Sequence, residues 1–150
     1  MATESPLITL GGQGLLSTAD YRKSTLSGTT RPGPNGSAQF LAVRMSSLST
    51  DRVFATCTVA GQAVLGILQD TPNVGEAGNP AVFGVTKMVC GTTTFQAGQP
   101  LMTDSSGCMV LYSSAAGQQR CGMALETPSA VGAVFSGIIY GSGLGPGSIA

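Results

Sequence analysis

Residues 53–68 read VFATCTVAGQAVLGIL, and this stretch decides the fold class. Its first half alternates. Val53, Ala55, Cys57 and Val59 share one face and Thr56 and Thr58 the other, the period of a half-buried strand. Gly61-Gln62 supplies a turn, and residues 63–68 form a continuous apolar run, short enough for a buried strand. The same grammar continues downstream. Residues 70–80 (DTPNVGEAGNP) read as a loop, and residues 81–89 as a strand with Phe83, Val85 and Val89 on one face. Strands are expected again at 101–103, 108–112, 121–125 and 133–140, the last with Phe135, Gly137 and Ile139 on one face. Turns at 97–100 and 104–107 separate them. Asp104, opening D-S-S-G, suits a turn whose side chain bonds its own backbone.

Working outward from this core, residues 1–50 have a different texture. They are rich in Ser, Thr, Gly and Pro and hold four of the seven cations: Arg22, Lys23, Arg31 and Arg44. Residues 27–37 (SGTTRPGPNGS) carry a strong loop signal. Residues 39–45 could form a strand, and 18–23 a single helical turn capped by Thr18. The expected organisation is an extended N-terminal arm over 1–50 with one or two strands, a core over 51–140 and a flexible Gly-rich tail over 141–150. The fold class that follows is all-β: a small β-barrel or β-sandwich of six to eight short strands with an extended arm.

Composition narrows the chemistry. Only 9% of residues are charged, against roughly a quarter in an average domain. Gly (22) and Pro (8) fill a fifth of the chain, which has no His and no Trp. Without His, Ser-His-Asp and Cys-His nucleophiles and His-ligated zinc cannot be built from this chain. Seven scattered cations against seven anions give no phosphate-binding footprint, so nucleic acid is not an expected partner. No secretory signal is expected at the start. The best apolar run, 131–140, is ten residues and falls short of the roughly 20 a membrane helix needs. Cys57, Cys90, Cys108 and Cys121 show no CxxC spacing and read as buried, reduced small hydrophobes.

Candidate chemical motifs each have a plainer reading. Thr86-Lys87-Met88 bears a faint likeness to swinging-arm lysines, but Lys87 falls inside an expected strand and suits a side chain reaching out to water. Gly11-Gly12-Gln13-Gly14 lacks the G-K-[ST] of a phosphate loop. No catalytic residue, metal site or cofactor is expected. Two features stand out: surface charge low enough to suit a subunit covered in an assembly, and an arm with anchors at Leu7, Ile8, Leu10, Leu15 and Leu16. Such a segment can add a strand to an exposed sheet edge.

From Gly61 to Tyr140 the order of segments resembles the head-decoration, or capsid cement, proteins of tailed bacteriophages. The matching pieces begin with Gly61-Gln62-Ala63-Val64, Leu65-Gly66-Ile67-Leu68 and Gly75-Glu76-Ala77. Val82-Phe83-Gly84-Val85-Thr86-Lys87, Ala97-Gly98-Gln99-Pro100-Leu101 and Thr103-Asp104-Ser105-Ser106-Gly107 follow, and Gly122-Met123-Ala124-Leu125-Glu126 closes the run. These are turn glycines and core aliphatics, covering about 80 of the 150 residues. The resemblance implies a non-enzymatic protein on the outside of an icosahedral shell, made in the host cytoplasm, clamping neighbouring capsomers. Its implied partners are the major capsid protein and itself, as a homotrimer or a dimer. The arm residues Leu7, Ile8, Leu10, Leu15, Leu16, Arg22, Lys23 and Arg31 then become candidates for the capsid interface. The chain is longer than many such proteins by the roughly 60 residues before Gly61. The alternatives are a carbohydrate- or receptor-binding β module of a virion fibre or surface protein, which would normally show more exposed aromatics, and a small His-free enzyme using Cys, Asp or Lys.

Overall fold

A computed structural model describes residues 7–9, 16–17, 32–46, 53–73, 76–92 and 94–140. Among these residues the protein is all-β. Strands β1 (Leu7–Thr9), β2 (Leu16–Ser17), β3 (Ala42–Met45), β4 (Val53–Thr56) and β5 (Gly66–Leu68) come first. They are followed by β6 (Pro80–Val89), β7 (Pro100–Thr103), β8 (Met109–Leu111), β9 (Gly122–Ala124) and β10 (Val134–Ile139). A single 3-10 turn, Pro34–Gly36, precedes β3. The strands form one sheet in the order β2-β4-β3-β5-β6-β10-β9-β7-β8, with β1 also paired to β6. Every pairing is antiparallel except β2 with β4. The expected helical turn at 18–23 and the tail at 141–150 lie outside the described residues.

The sheet curls into a half-barrel because its two halves are tied across the interior side. Ala42 N donates to Gly107 O at 2.7 Å, joining β3 to the β7–β8 turn. Gly61 N donates to Thr103 O at 2.7 Å, and Gln119 N donates to Gly61 O at 2.8 Å. Gly107 has a φ of +83°, and a Cβ there would lie 2.7 Å from Thr56 Cγ2 and 3.0 Å from Ala42 O. Only glycine fits such an approach without displacing the partner strand. The expected Asp104 turn forms this contact point. Asp104 Oδ1 accepts from Ser106 N (2.7 Å) and Cys108 N (3.0 Å).

Burial splits chain neighbours between two apolar clusters. Ala42, Ile67, Met88 and Met109 enter one cluster with Leu101, Phe135 and Ile139, where Phe95 meets Phe135 edge-on at 5.0 Å. Val43, Leu68, Val89 and Cys108 enter the other with Phe54, Leu41 and Ala38. Strands buried on both faces lose the polar half of the alternation, as in β5, where Gly66, Ile67 and Leu68 are all buried; of the expected strand 63–68 the first three residues lie outside it, with Ala63 exposed. Phe40 packs against both clusters. It holds a φ of +66°, rare for a bulky residue, while its N–H donates to Leu68 O at 2.7 Å. The 38–45 part of the N-terminal segment is therefore built into the sheet, with Leu41, Ala42 and Val43 fully buried.

The face assignment changes in β4, whereas in β6 Phe83, Val85 and Val89 share one side as expected, the side opposite Met88. In β4 the core residue is Phe54, fully buried, flanked by half-buried Val53 and Ala55, while Val59 is 61% exposed. The strand stops at Thr56. Gln62 Oε1 accepts from both Thr58 N and Val59 N, which turns the chain away and ends the alternation before Val59. In β6, Phe83, Val85 and Lys87 face outward while Gly84, Thr86 and Met88 face the core. The strand also carries a bulge. Opposite β1, Ile8 faces Phe83 and Thr9 faces Ala81, so Val82 is extra, and Gly84 has a φ of +111°. An extra residue exchanges the faces beyond it.

The closure makes a stability prediction. Gly107→Ala is expected to destabilise the fold by about 2–3 kcal/mol, combining left-handed strain with the clash. Gly98→Ala, at a φ of +86° with nothing within 4 Å of the new methyl, is expected to cost only about 1 kcal/mol. Urea unfolding of the two variants checks the difference; equal losses would contradict a tight closure at Gly107.

Candidate functional site: an outward apolar sheet face

Beyond the bulge in β6, Val85 lies on the outer side, in a row of half-buried side chains that crosses the sheet. The registers Val85↔Ile138, Ile138↔Met123 and Met123↔Pro100 align these residues across β6, β10, β9 and β7. Tyr112 extends the row, its N–H donating to Pro100 O at 2.9 Å. All five residues are half-buried, with Phe83 (51% exposed) beside the row.

Charged groups sit at two ends of this face. At one, Lys87 Nζ donates to Ser136 Oγ at 2.7 Å and lies 3.9 Å from Glu126 Oε2. Glu126 Oε2 also accepts from Ser136 N at 2.7 Å, and these bonds together with Lys87 hold its carboxyl below the usual carboxylate range. Lys87 thus reaches into water from a strand, as its sequence setting suggested. At the other end the Arg120 guanidinium stacks 4.8 Å over the Tyr112 ring. Tyr140 joins this end, its hydroxyl donating to Gly122 O at 2.9 Å. Burial raises the Tyr140 phenol, and the nearby Arg120 charge partly offsets that.

A second feature is an open recess of about 580 Å³ lined by Arg44, Met45, Val59, Gln62, Ala63 and Leu65. Arg44 curls back to the main chain there, donating to Met45 O and Ser46 O. The recess lies beside the last residues of β3, on the half of the sheet that β2 edges.

The arm residues singled out from sequence fall into two groups. Leu7 and Ile8 belong to β1, opposite Gly84 and Phe83 of β6, and Leu16 belongs to β2, opposite Val53 of β4. Leu10, Leu15, Arg22, Lys23 and Arg31 lie outside the described residues. The outward row was not singled out from sequence. Its members sit on four strands and at the end of a fifth, and the bulge at Val82 leaves no mark except Gly84.

No family model and no curated protein matches this chain. Among solved structures it is similar to the head fiber gp8.5 N base in bacteriophage phi29. The TM-score is 0.58 at 11% identity, over 91% of this chain and 94% of that one. The likeness is one of fold, and it extends over nearly the full length of both chains.

The cysteines carry a separate chemical consequence. All four are buried thiols. Burial pushes Cys57, Cys108 and Cys121 each up to about 12 and raises Cys90 as well. Asp104 and Cys90 add to the rise at Cys108, while the Thr103 hydroxyl opposes it at Cys57. Thiols held this way stay protonated at neutral pH and make poor nucleophiles. Ellman's reagent at pH 8 is expected to label none of them within minutes in the folded protein and all four in denaturant. Rapid labelling before unfolding would contradict their packing.

Proposed function

We propose that this protein is a structural component of a phage virion that binds the outside of an icosahedral capsid and clamps adjacent capsomers. The observation that carries this reading is the fold likeness to a phage head fiber base, end to end in both chains. The ordered turn and core segments from Gly61 to Glu126 add support from the sequence, since they resemble capsid cement proteins. The physical means is strand addition and multivalency. Arm segments already pair with this sheet at β1 and β2, and the same kind of extended segment can bridge to a neighbouring subunit. Each copy linked to two or more capsomers gains roughly 10²–10⁴ in avidity over its single contacts. Binding the assembled lattice and not its dissociated parts stabilises the lattice by mass action.

A second reading, the base of a virion fibre that presents a receptor- or carbohydrate-binding part, is favoured by the same structural likeness. The two differ in what binding does to the shell. Pelleting with expanded capsids is expected to show saturable, stoichiometric binding and a raised capsid disruption temperature. Binding without any gain in shell stability would select the fibre reading, and no co-sedimentation would sink both. A variant lacking residues 1–31 retains β3 to β10. It is expected to unfold cooperatively yet lose at least tenfold in capsid affinity; undiminished binding would show that the arm is not the anchor.

A further inference from the structure

Strand β1 occupies a place in the sheet that its own chain reaches only at full stretch. Ala81 of β6 has two strand partners, Ile67 of β5 and Thr9 of β1. One residue of a strand meets one partner on each edge, so β1 lies on the edge away from β5. β10 follows that edge from Val89 and makes its last pair at Gly84, opposite Ile139. β1 starts opposite the same Gly84 and runs on to Ala81. It fills the slot that β10 leaves open.

β2 stands at the far end of that half of the sheet, in the order β2-β4-β3-β5-β6. From the β1 slot to β2 is five strand spacings, roughly 24 Å at about 4.8 Å each. The registers add a step along the strands. Thr9 is level with Ala81, Ile67 and Ala42, and Cys57 N donates to Ala42 O at 2.9 Å, which brings Cys57 to the same level. Leu16 pairs with Val53, four residues before Cys57, or about 13 Å along the strand. The route over the sheet from Thr9 to Leu16 is then roughly 27 Å. Residues 10–15 join them, seven Cα steps that span at most about 25 Å fully extended. A shorter course through the inside is closed, because Ala42, Ile67 and Ala81 are fully buried there. Within one copy the link has no slack.

We propose that copies of this chain exchange β1: Leu7–Thr9 of one copy fills the slot beside Ala81 to Gly84 on β6 of another. A short, stretched hinge favours such exchange, because the same strand pairing forms between copies without the stretch. Among the described residues β2 is the outermost strand on its side of the sheet. The chain preceding Leu16 therefore starts at the rim and meets a neighbour without crossing β4, β3, β5 and β6. Each chain gives one strand and receives one, which closes the assembly into a ring. The register, Ile8 opposite Phe83, is kept. The exchange takes place between free subunits, so it stands whether or not the protein binds a capsid.

Disulfide trapping in the full chain tests it. The double variant Ile8→Cys/Phe83→Cys places two thiols directly opposite each other across the slot. Oxidised with glutathione disulfide at micromolar concentration, it is expected to give covalent multimers of the 15.0 kDa chain on a non-reducing gel, while neither single variant does. A monomer band would overturn the proposal, whether an internal disulfide has closed or none has formed. A second variant, with about eight Gly/Ser residues inserted between Gly12 and Gln13, gives the link roughly 25 Å more reach. By sedimentation equilibrium at tens of micromolar its mass is expected to fall to 15.0 kDa, from a multiple of 15.0 kDa for the wild-type chain. A monomeric wild-type chain, or an insertion variant that keeps the wild-type mass, would overturn exchange through a short link.

Discussion

Ala42 donates its backbone N–H across the half-barrel to the carbonyl of Gly107, and most of the structure depends on that approach. The two groups come from opposite halves of the sheet, so their contact converts an open ribbon of short strands into a curled one. An approach this close leaves no room for a side chain, and the turn that makes it needs a left-handed residue. Glycine meets both conditions at position 107. Asp104 fixes the same turn from within by accepting two backbone N–H groups. A chain with 5% aromatics and, apart from β6 and β10, strands of four residues or fewer cannot rely on bulk for its core. It relies on close backbone contact and on using both faces of several strands.

That curl also decides which surfaces are left over. The concave side is filled by Met88, Phe135, Leu101 and Met109, and part of the convex side by Phe54, Leu68, Val43 and Val89. The remaining convex side, across β6, β10, β9, β7 and β8, carries half-buried apolar residues with a carboxylate at one end and an arginine at the other. Low charge and an apolar outer face belong together here. Both suit a subunit whose surfaces are covered by neighbours.

The fold class was legible because period two and turn glycines are local signals. Residues 134–139 show it: Phe135, Gly137 and Ile139 alternate in the sequence and all face inward. Faces were less legible than strands. In β6 the side shared by Phe83, Val85 and Val89 was legible, but the bulge at Val82 depends on the partner strand, which the local sequence does not name. In β4 Phe54 is buried although its neighbours suggested the other parity, because tertiary contact with Leu68 and Val43 decides where a ring goes. The outward row was the least legible, since Val85, Ile138, Met123 and Pro100 come together only through three separate registers.

The contact between the two halves of the sheet should be as firm as the sheet itself. Native-state hydrogen exchange measures this residue by residue. The amides of Ala42, Gly61 and Gln119, which donate across the closure, are predicted to exchange only through global unfolding, with the same opening free energy as the β6–β10 ladder. Exchange of those three amides through a low-energy local opening, with the β6–β10 ladder still protected, would contradict the account.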